Sequence, residues 1–136
     1  MFAVSRAARR FDALAARALS GDDLSFLEGL TLAALFFEAP RQVKPSHLAE
    51  TFGTTRGNVS HCISSLEAKG LLQRKIDPED ARAYQLTLKP PGKRCALRVI
   101  AAFDTLQRNF ESEIGKAALS EMLRAIRKLE ARAEVR

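Results

Sequence analysis

The apolar positions of this chain recur every three or four residues over most of its length, which predicts a mainly α-helical protein. Residues 2–19 form one amphipathic stretch, and Gly21 ends it. Ser25 then begins a capping box with Glu28, and the helix that follows is ended by Pro40. Its apolar residues lie on more than one side, so we expect this second helix to be central and buried.

Two shorter helices joined by a tight glycine turn are predicted next. The first is Pro45–Phe52, with proline in a favourable first position and Gly53 at its end. Thr55 caps the second, predicted over 56–69 and ended by Gly70. Its apolar side chains share one face: Val59, Cys62, Ile63 and Leu66. Two such helices around a short turn predict a helix-turn-helix.

The period then changes to that of a β-hairpin. Residues 71–76 and 83–88 are strand-like, and residues 77–80, Asp-Pro-Glu-Asp, have the composition of a turn. After this wing, Pro90 and Pro91 begin a long helix, and a last helix follows Gly115. The fold class predicted is therefore mainly α, a winged helix-turn-helix with about six helices plus a β-hairpin wing.

Charge is concentrated in the middle of the chain. The 136 residues are 46% apolar, which suits one folded domain over 1–136, and the net charge is +6 with a pI near 9.8. Residues 41–94 hold ten Lys or Arg residues and five acidic ones, net +5. This excess favours a polyanionic partner, either nucleic acid or an anionic membrane surface.

Several classes of protein are disfavoured by the same sequence. The two cysteines, Cys62 and Cys95, have no metal-ligand spacing and make no disulfide framework, which fits a cytoplasmic protein. No apolar run approaches the ~20 residues of a membrane span, so no membrane partner is expected. Residues 1–20 are basic and amphipathic, as transit peptides also are, but a helix of the folded protein explains this stretch better. With no nucleotide-binding glycine motif, no metal cluster and only two histidines, we expect neither an enzyme nor a cofactor.

Two motifs in the basic segment are specific in combination. Residues 66–71 read LEAKGL, and residues 77–82 read DPEDAR. With the flanking matches they make 43–94 resemble the MarR family of bacterial regulators. Two departures are Lys89, where that family usually has Thr or Ser, and the proline pair that follows it. Peroxide-sensing relatives carry a cysteine on the first helix, and residues 1–20 have none.

The resemblance implies a fold, partners and a function. The fold would be a homodimer in which residues 1–20 and 95–136 of two chains interlock, with DNA binding in 41–94. Its partner would be a double-stranded, inverted-repeat operator with half-sites about one helical turn apart. The function implied is a transcription regulator, most often a repressor, whose DNA binding is modulated by a small phenolic or other aromatic ligand held in a cleft.

The second helix of the helix-turn-helix is the predicted reading helix. With its apolar face turned inward, the predicted DNA-contacting residues at its start and on its other face are Thr55, Arg56, Gly57, Asn58, Ser60, His61 and Ser64. Small polar side chains would allow close approach to the major groove, and Arg56 or His61 could donate to guanine. The alternative is an ordinary solvated helix face.

The wing supplies a second set of predicted DNA contacts: Arg74, Lys75, Asp80 and Arg82. Arg82 resembles the residue that family members insert into the minor groove, and Asp80 the residue that orients it. The alternative is a surface ion pair of little energetic value. Predicted phosphate contacts are basic side chains of the same segment: Arg41, Lys44, Lys69, Arg74, Lys75, Lys89, Lys93 and Arg94.

A second function stays open at this point. The winged helix can serve as a protein-interaction module without sequence-specific DNA binding. Such a module would be expected to have neutral or acidic surroundings at the reading helix, whereas residues 41–94 have a net charge of +5. Cys62 is predicted to be a small core residue, and a ligand or redox role of Cys95 is left open.

Overall fold

The computed structural model describes residues 1–80 and 84–133. Its elements in chain order are α1 (Phe2–Ala18), a 3-10 turn (Ser20–Asp22), α2 (Phe26–Glu38), α3 (Pro45–Phe52), α4 (Arg56–Ala68), β1 (Leu72–Ile76), β2 (Tyr84–Leu88), α5 (Pro90–Ile114) and α6 (Lys116–Ala133). The described residues thus form six α-helices and one antiparallel hairpin, which confirms the winged helix-turn-helix prediction. The chain divides into two compact units, residues 1–102 and 103–136.

Helix α2 lies in the core of the first unit, as its apolar pattern predicted. Ser25 begins it with a complete capping box, in which the Ser25 hydroxyl accepts from the Glu28 N–H and the Glu28 carboxylate accepts from the Ser25 N–H. Around α2 the large side chains with less than 2% exposure include Leu19, Leu32, Leu48, Val59, Ile63, Leu66, Leu72 and Val99. This apolar burial holds α4 and strand β2 on α2, and α3 on α4.

The turn between α3 and α4 is fixed by local hydrogen bonds. Gly53 ends α3 in the left-handed region, at φ 61°, which a glycine adopts without steric cost. The Thr55 hydroxyl accepts from the Asn58 N–H at 3.1 Å, which confirms the predicted cap. The Asn58 amide also donates to the Thr54 hydroxyl at 3.0 Å. These contacts set the angle at which α4 leaves the turn.

The wing is a two-stranded antiparallel sheet. Its register pairs Leu72 with Leu88 at the base, where both side chains are buried. Val43, in the segment before α3, adds an isolated bridge to Leu86. The sequence does not predict this bridge, because a single paired residue leaves no alternating pattern.

A buried carboxylate joins α2 to α4. The Glu28 side chain accepts from the Ser65 hydroxyl at 2.5 Å and from the Lys69 ammonium at 2.9 Å, in addition to the Ser25 N–H of its own cap. Lys69 also donates to the backbone oxygen of Asp23 at 2.5 Å. Glu28 is only 6% exposed, so its charge is satisfied almost entirely by these protein groups.

The environment of Glu28 acts on its pKa in two directions. Burial raises the pKa, but hydrogen bonds from Ser65, Lys69 and the Ser25 backbone, with the Lys69 charge, outweigh burial. The net result is a pKa below the ordinary glutamate value of 4.5. Glu28 is therefore ionised in the folded protein at neutral pH.

The second unit contains the end of α5 and α6. Its described helical surface has a row of exposed apolar side chains at helical spacing on α6: Met122, Leu123, Ile126 and Leu129. In the first unit α1 likewise exposes Phe2, Val4 and Leu14. No helix in the described residues combines the length and the apolar character needed to cross a membrane.

The first turn of α5 lies directly on the backbone at the base of the wing. The Lys89 N–H donates to the Leu71 oxygen at 2.9 Å, and a Cβ placed on Gly92 would be 1.8 Å from that same oxygen. Only glycine therefore fits at this contact. Helix α5 begins at Pro90, and proline is tolerated in the first position of a helix.

Gly92→Ala is expected to destabilise the protein by about 1–3 kcal/mol, because the added methyl group forces α5 away from Leu71. Gly21→Ala is the matched control, since no heavy atom lies within 4 Å of the Cβ that it would add. Urea unfolding of both variants measures the difference. Equal stability of the two variants would contradict the close contact.

The lowered pKa of Glu28 predicts a pH-dependent contribution to stability. The folded-state pKa lies below the ordinary value, so the contribution is fully present above pH 4.5 and is lost as the pH falls through the folded pKa. Wild type should therefore be more stable than Glu28→Gln at neutral pH, and this difference should shrink below pH 4.5. Urea unfolding of both proteins from pH 7 to pH 3 measures it, and a difference independent of pH would argue against an ionised Glu28.

Candidate nucleic-acid interface

The outward face of α4 is small, polar and basic. Arg56, Gly57, Ser60, His61 and Ser64 are all exposed. The opposite face, with Val59, Cys62, Ile63 and Leu66, is at most 5% exposed. The structure therefore gives α4 the orientation that its apolar pattern predicted and presents these five predicted site residues together to solvent.

Thr55 and Asn58 lie beside this face at the start of α4. Both are exposed, but their side chains are already engaged in the turn, Thr55 as the cap and Asn58 as a donor to Thr54. The first N–H groups of a helix have no partner within the helix itself, so this end favours an anion such as a phosphate. These two residues thus shape the end of the helix.

Gly57 has no packing reason to be glycine. A Cβ placed on it would meet only the Thr55 hydroxyl, at an ordinary contact distance of 3.8 Å. Glycine is also an unfavourable residue in a helix. The missing side chain leaves open space at the exposed start of α4, where another surface can approach closely.

Arg74 of β1 is held against α4. Its guanidinium donates to the Ser64 hydroxyl at 2.6 Å and lies 3.3 Å from a carboxylate oxygen of Glu67. The guanidinium carbon is 5.2 Å from the centre of the Tyr84 ring, within the range of a cation–π contact. Two predicted DNA-contacting residues, Arg74 and Ser64, therefore contact each other and connect the wing to α4.

The remaining wing residues are placed differently. Lys75 and Asp80 are exposed, Lys75 on β1 and Asp80 in the turn that follows it. Arg82, the predicted minor-groove residue, lies outside the described residues, so its role stays a prediction. The Asp77 carboxylate accepts from the Glu79 N–H at 3.0 Å, which confirms the turn chemistry expected of 77–80.

Lys69 is the basic residue for which the structure argues against the predicted phosphate contact. Its ammonium is bound to Glu28 and to the Asp23 backbone, so it is directed at the protein. The sequence pattern could not show this, because the acceptors lie 41 and 46 residues away. The other predicted phosphate contacts apart from Arg74 are exposed: Arg41, Lys44, Lys75, Lys89, Lys93 and Arg94.

Sequence reasoning also missed the residues that hold the interface from behind. Glu28 was identified only as half of a capping box, and Ser65, Glu67 and Tyr84 were assigned no role. The one signal available for Tyr84 was the hairpin register, which places it near Arg74 across the two strands. Nothing in the sequence pairs Glu28 with Ser65, because that contact depends on how the helices cross.

The two cysteines are buried thiols. Burial raises the pKa of both Cys62 and Cys95 above the ordinary value. Cys62 also contacts the Thr31 hydroxyl at 3.5 Å on the inward face of α4. Both thiols are therefore protonated at neutral pH and poorly placed to react, which agrees with the predicted core role of Cys62.

A cavity of about 580 Å³ lies beside the wing, within the first unit. Leu35, Phe36, Leu86 and Leu88 give it an apolar lining. Three cationic side chains, Arg41, Lys75 and Lys93, also line it, and its described lining residues include no carboxylate. A site of this size, apolar with a few charged groups, can hold a small ligand.

Comparison with known proteins finds a family that part of this chain resembles. The model of the MarR family matches residues 22–83, which include the helix-turn-helix and the first strand of the wing. A proposed transcriptional regulatory protein for the hcr operon of Thauera aromatica is 27% identical over 84 residues. That match covers 62% of this chain and 51% of the relative, so it spans about half of the relative's length.

Solved structures share the fold at low sequence identity. MepR of Staphylococcus aureus in a DNA complex has a TM-score of 0.90 at 20% identity, covering 98% of this chain and 96% of its own. BldR of Sulfolobus solfataricus has a TM-score of 0.81 at 22% identity, covering 97% and 92%. MarR of Oenococcus oeni has a TM-score of 0.78 at 16% identity, covering 94% and 96%. The sequence match makes residues 22–83 of this chain similar to the MarR family of transcriptional regulators, and the solved structures show that the chain shares the winged-helix fold.

Proposed function

We propose that this protein binds double-stranded DNA sequence-specifically as a homodimer and represses transcription until a small molecule binds it. The observation that carries the proposal is the exposed face of α4, where Arg56, Ser60 and His61 stand beside the unobstructed Gly57. An α-helix with such a face fits the major groove, where each base pair presents a distinct pattern of donors and acceptors. The solved DNA complex of MepR, which has the same fold, supports this use of the fold.

The wing completes the proposed interface. Lys75 is exposed on the strand next to α4, and Asp80 and Arg82 follow it in the chain. We assign Arg82 to the minor groove, whose width and negative potential favour arginine. The exposed basic residues of 41–94 would contact phosphates and make binding strongly dependent on salt.

The homodimer is supported by apolar surface that each unit leaves exposed. Leu129 on α6 is 59% exposed and Phe2 on α1 is 93% exposed, and neighbouring apolar residues extend both patches. Contiguous patches of this kind mark protein–protein contacts. We assign residues 1–20 and 95–136 to dimerisation, which gives a two-fold symmetric protein suited to an inverted repeat.

The cavity beside the wing is the proposed ligand site. Its apolar lining suits an aromatic ring, and Arg41, Lys75 and Lys93 suit a negative charge on that ring. It is lined by both strands of the wing and by the first turn of α5. A ligand there would act on the wing and so on DNA binding.

A protein-interaction role without DNA binding is the competing function. It predicts that the chain enriches no sequence from a pool of random duplexes. The net charge of +5 over 41–94 and the basic face of α4 argue against it.

Selection from random duplexes should enrich an inverted repeat with half-sites about one helical turn apart. Arg82→Ala is then expected to weaken binding of the selected duplex about tenfold or more, with thermal stability nearly unchanged. Arg17→Ala on the exposed surface of α1 removes the same charge outside the basic segment and is the control.

Gly57→Gln tests α4 in the same experiment. A longer side chain at the start of α4 should obstruct approach to the groove and weaken binding about tenfold or more, while a better helix former leaves folding intact. Fluorescence anisotropy at several salt concentrations measures the affinities. Equal loss of stability and affinity in Arg82→Ala, or full affinity of Gly57→Gln, would contradict the proposed contacts.

The ligand site predicts a preference for anionic aromatic molecules. Benzoate is expected to bind more tightly than neutral benzamide, and Lys75→Met with Lys93→Met should remove that preference. Isothermal titration of both probes measures it, with Lys116→Met on α6 as a control that lies outside the cavity. Benzoate binding that is insensitive to both substitutions would place the site elsewhere.

A further inference from the structure

We infer that Glu28 is a positioning residue for DNA recognition, because its buried carboxylate fixes the orientation of α4 and so the register of the bases that α4 reads. Glu28 touches no DNA in this scheme. It acts through Ser65 and Lys69, and the inference rests on the proposed DNA-binding function.

The geometry of the α2–α4 contact is that of a two-point attachment. Glu28 contacts Ser65, and one turn further along α2 the Thr31 hydroxyl contacts Cys62 Sγ at 3.5 Å, three residues earlier on α4. Residues three apart lie on one face of a helix, so the two contacts line up along the crossing. Two directional contacts restrict both the rotation of α4 about its axis and its sliding along α2. Apolar packing at Val59 and Leu66 is not directional and restricts both motions less.

The negative charge is needed for this attachment. The Glu28 carboxylate accepts hydrogen bonds from three donors: the Ser25 N–H, the Ser65 hydroxyl and the Lys69 ammonium. A glutamine in its place would keep the shape but has a single acceptor oxygen, so it cannot accept from all three donors, and it carries no charge to attract the Lys69 ammonium. The remaining contact of Lys69, to the Asp23 oxygen, belongs to the turn before α2 and does not orient α4 by itself.

Lys69 gives the inference its distinguishing feature. A lysine at the end of a reading helix is ordinarily expected to contact phosphate, and its loss would then weaken binding to all sequences and lower the salt dependence. Here the ammonium is bound inside the protein, so its loss should change the orientation of α4 instead. Base contacts need precise placement, whereas phosphate contacts tolerate small shifts.

The experiment compares specificity, not affinity alone. The duplex selected by wild type and a scrambled duplex of the same composition are titrated with wild type, Glu28→Gln, Lys69→Met and Ser65→Ala. The control is Glu50→Gln, which removes an exposed carboxylate on α3. Circular dichroism and thermal unfolding establish that each variant is folded. Because Glu28→Gln and Lys69→Met change the net charge in opposite directions, a shared effect on specificity cannot come from net charge.

Glu28→Gln and Lys69→Met should each lower the ratio of selected to scrambled affinity about tenfold or more. Binding to the scrambled duplex should change by only about twofold, and the salt dependence of Lys69→Met should equal that of wild type. Ser65→Ala removes one hydrogen bond and should show a smaller loss of the same kind, which keeps the test open where Glu28→Gln does not fold.

Folded variants that keep the wild-type ratio overturn the inference, even where they are less stable. A Lys69→Met variant with an unchanged ratio and a reduced salt dependence also overturns it, since that result assigns Lys69 to phosphate. Wild type that enriches no duplex overturns the proposed function and this inference together, and that result is seen before any variant is made.

Discussion

Burial of one face of α4 against α2 is the constraint on which the rest of the structure depends. The helix packs in one orientation, because Val59, Ile63 and Leu66 are fully buried. Its small, basic face is therefore exposed to solvent. Apolar packing specifies which face is inside but is not directional. The ionised Glu28 supplies directional hydrogen bonds to Ser65 and Lys69, which orient α4. Loss of these partners would leave a buried charge without a partner, which is costly in free energy.

The basic residues of 41–94 have two different settings in the described part of the protein. Lys69 and Arg74 are bound to acceptors on α2 and α4, and both serve to hold elements together. Other basic side chains of 41–94, such as Lys44 and Lys93, remain exposed. The basic excess is therefore divided between internal support and an outward field that suits a polyanion.

Local signals predicted most of the fold. The Ser25 capping box, the Gly53 turn and the Thr55 cap are short-range features, and each lies where the sequence placed it. The outward face of α4 followed from its apolar period alone. The partners of Lys69 and Arg74 did not follow, because a long side chain chooses among acceptors that only the tertiary structure brings near. The bridge from Val43 to Leu86 could not be predicted either, because it too depends on the tertiary structure. The role of Arg82 is still inferred from its sequence motif alone.

Under the proposed function, the contact between Arg74 and Ser64 has a consequence for how this protein could acquire a new target site. Ser64 stands on the face proposed to read bases, yet its hydroxyl also anchors the hairpin. A substitution there that suits a different base pair would release the guanidinium from α4 and change the setting of the hairpin as well. Ser60 and His61 have no such second contact with the hairpin residues that the structure describes, so under the proposed function they are the positions where base preference can change independently.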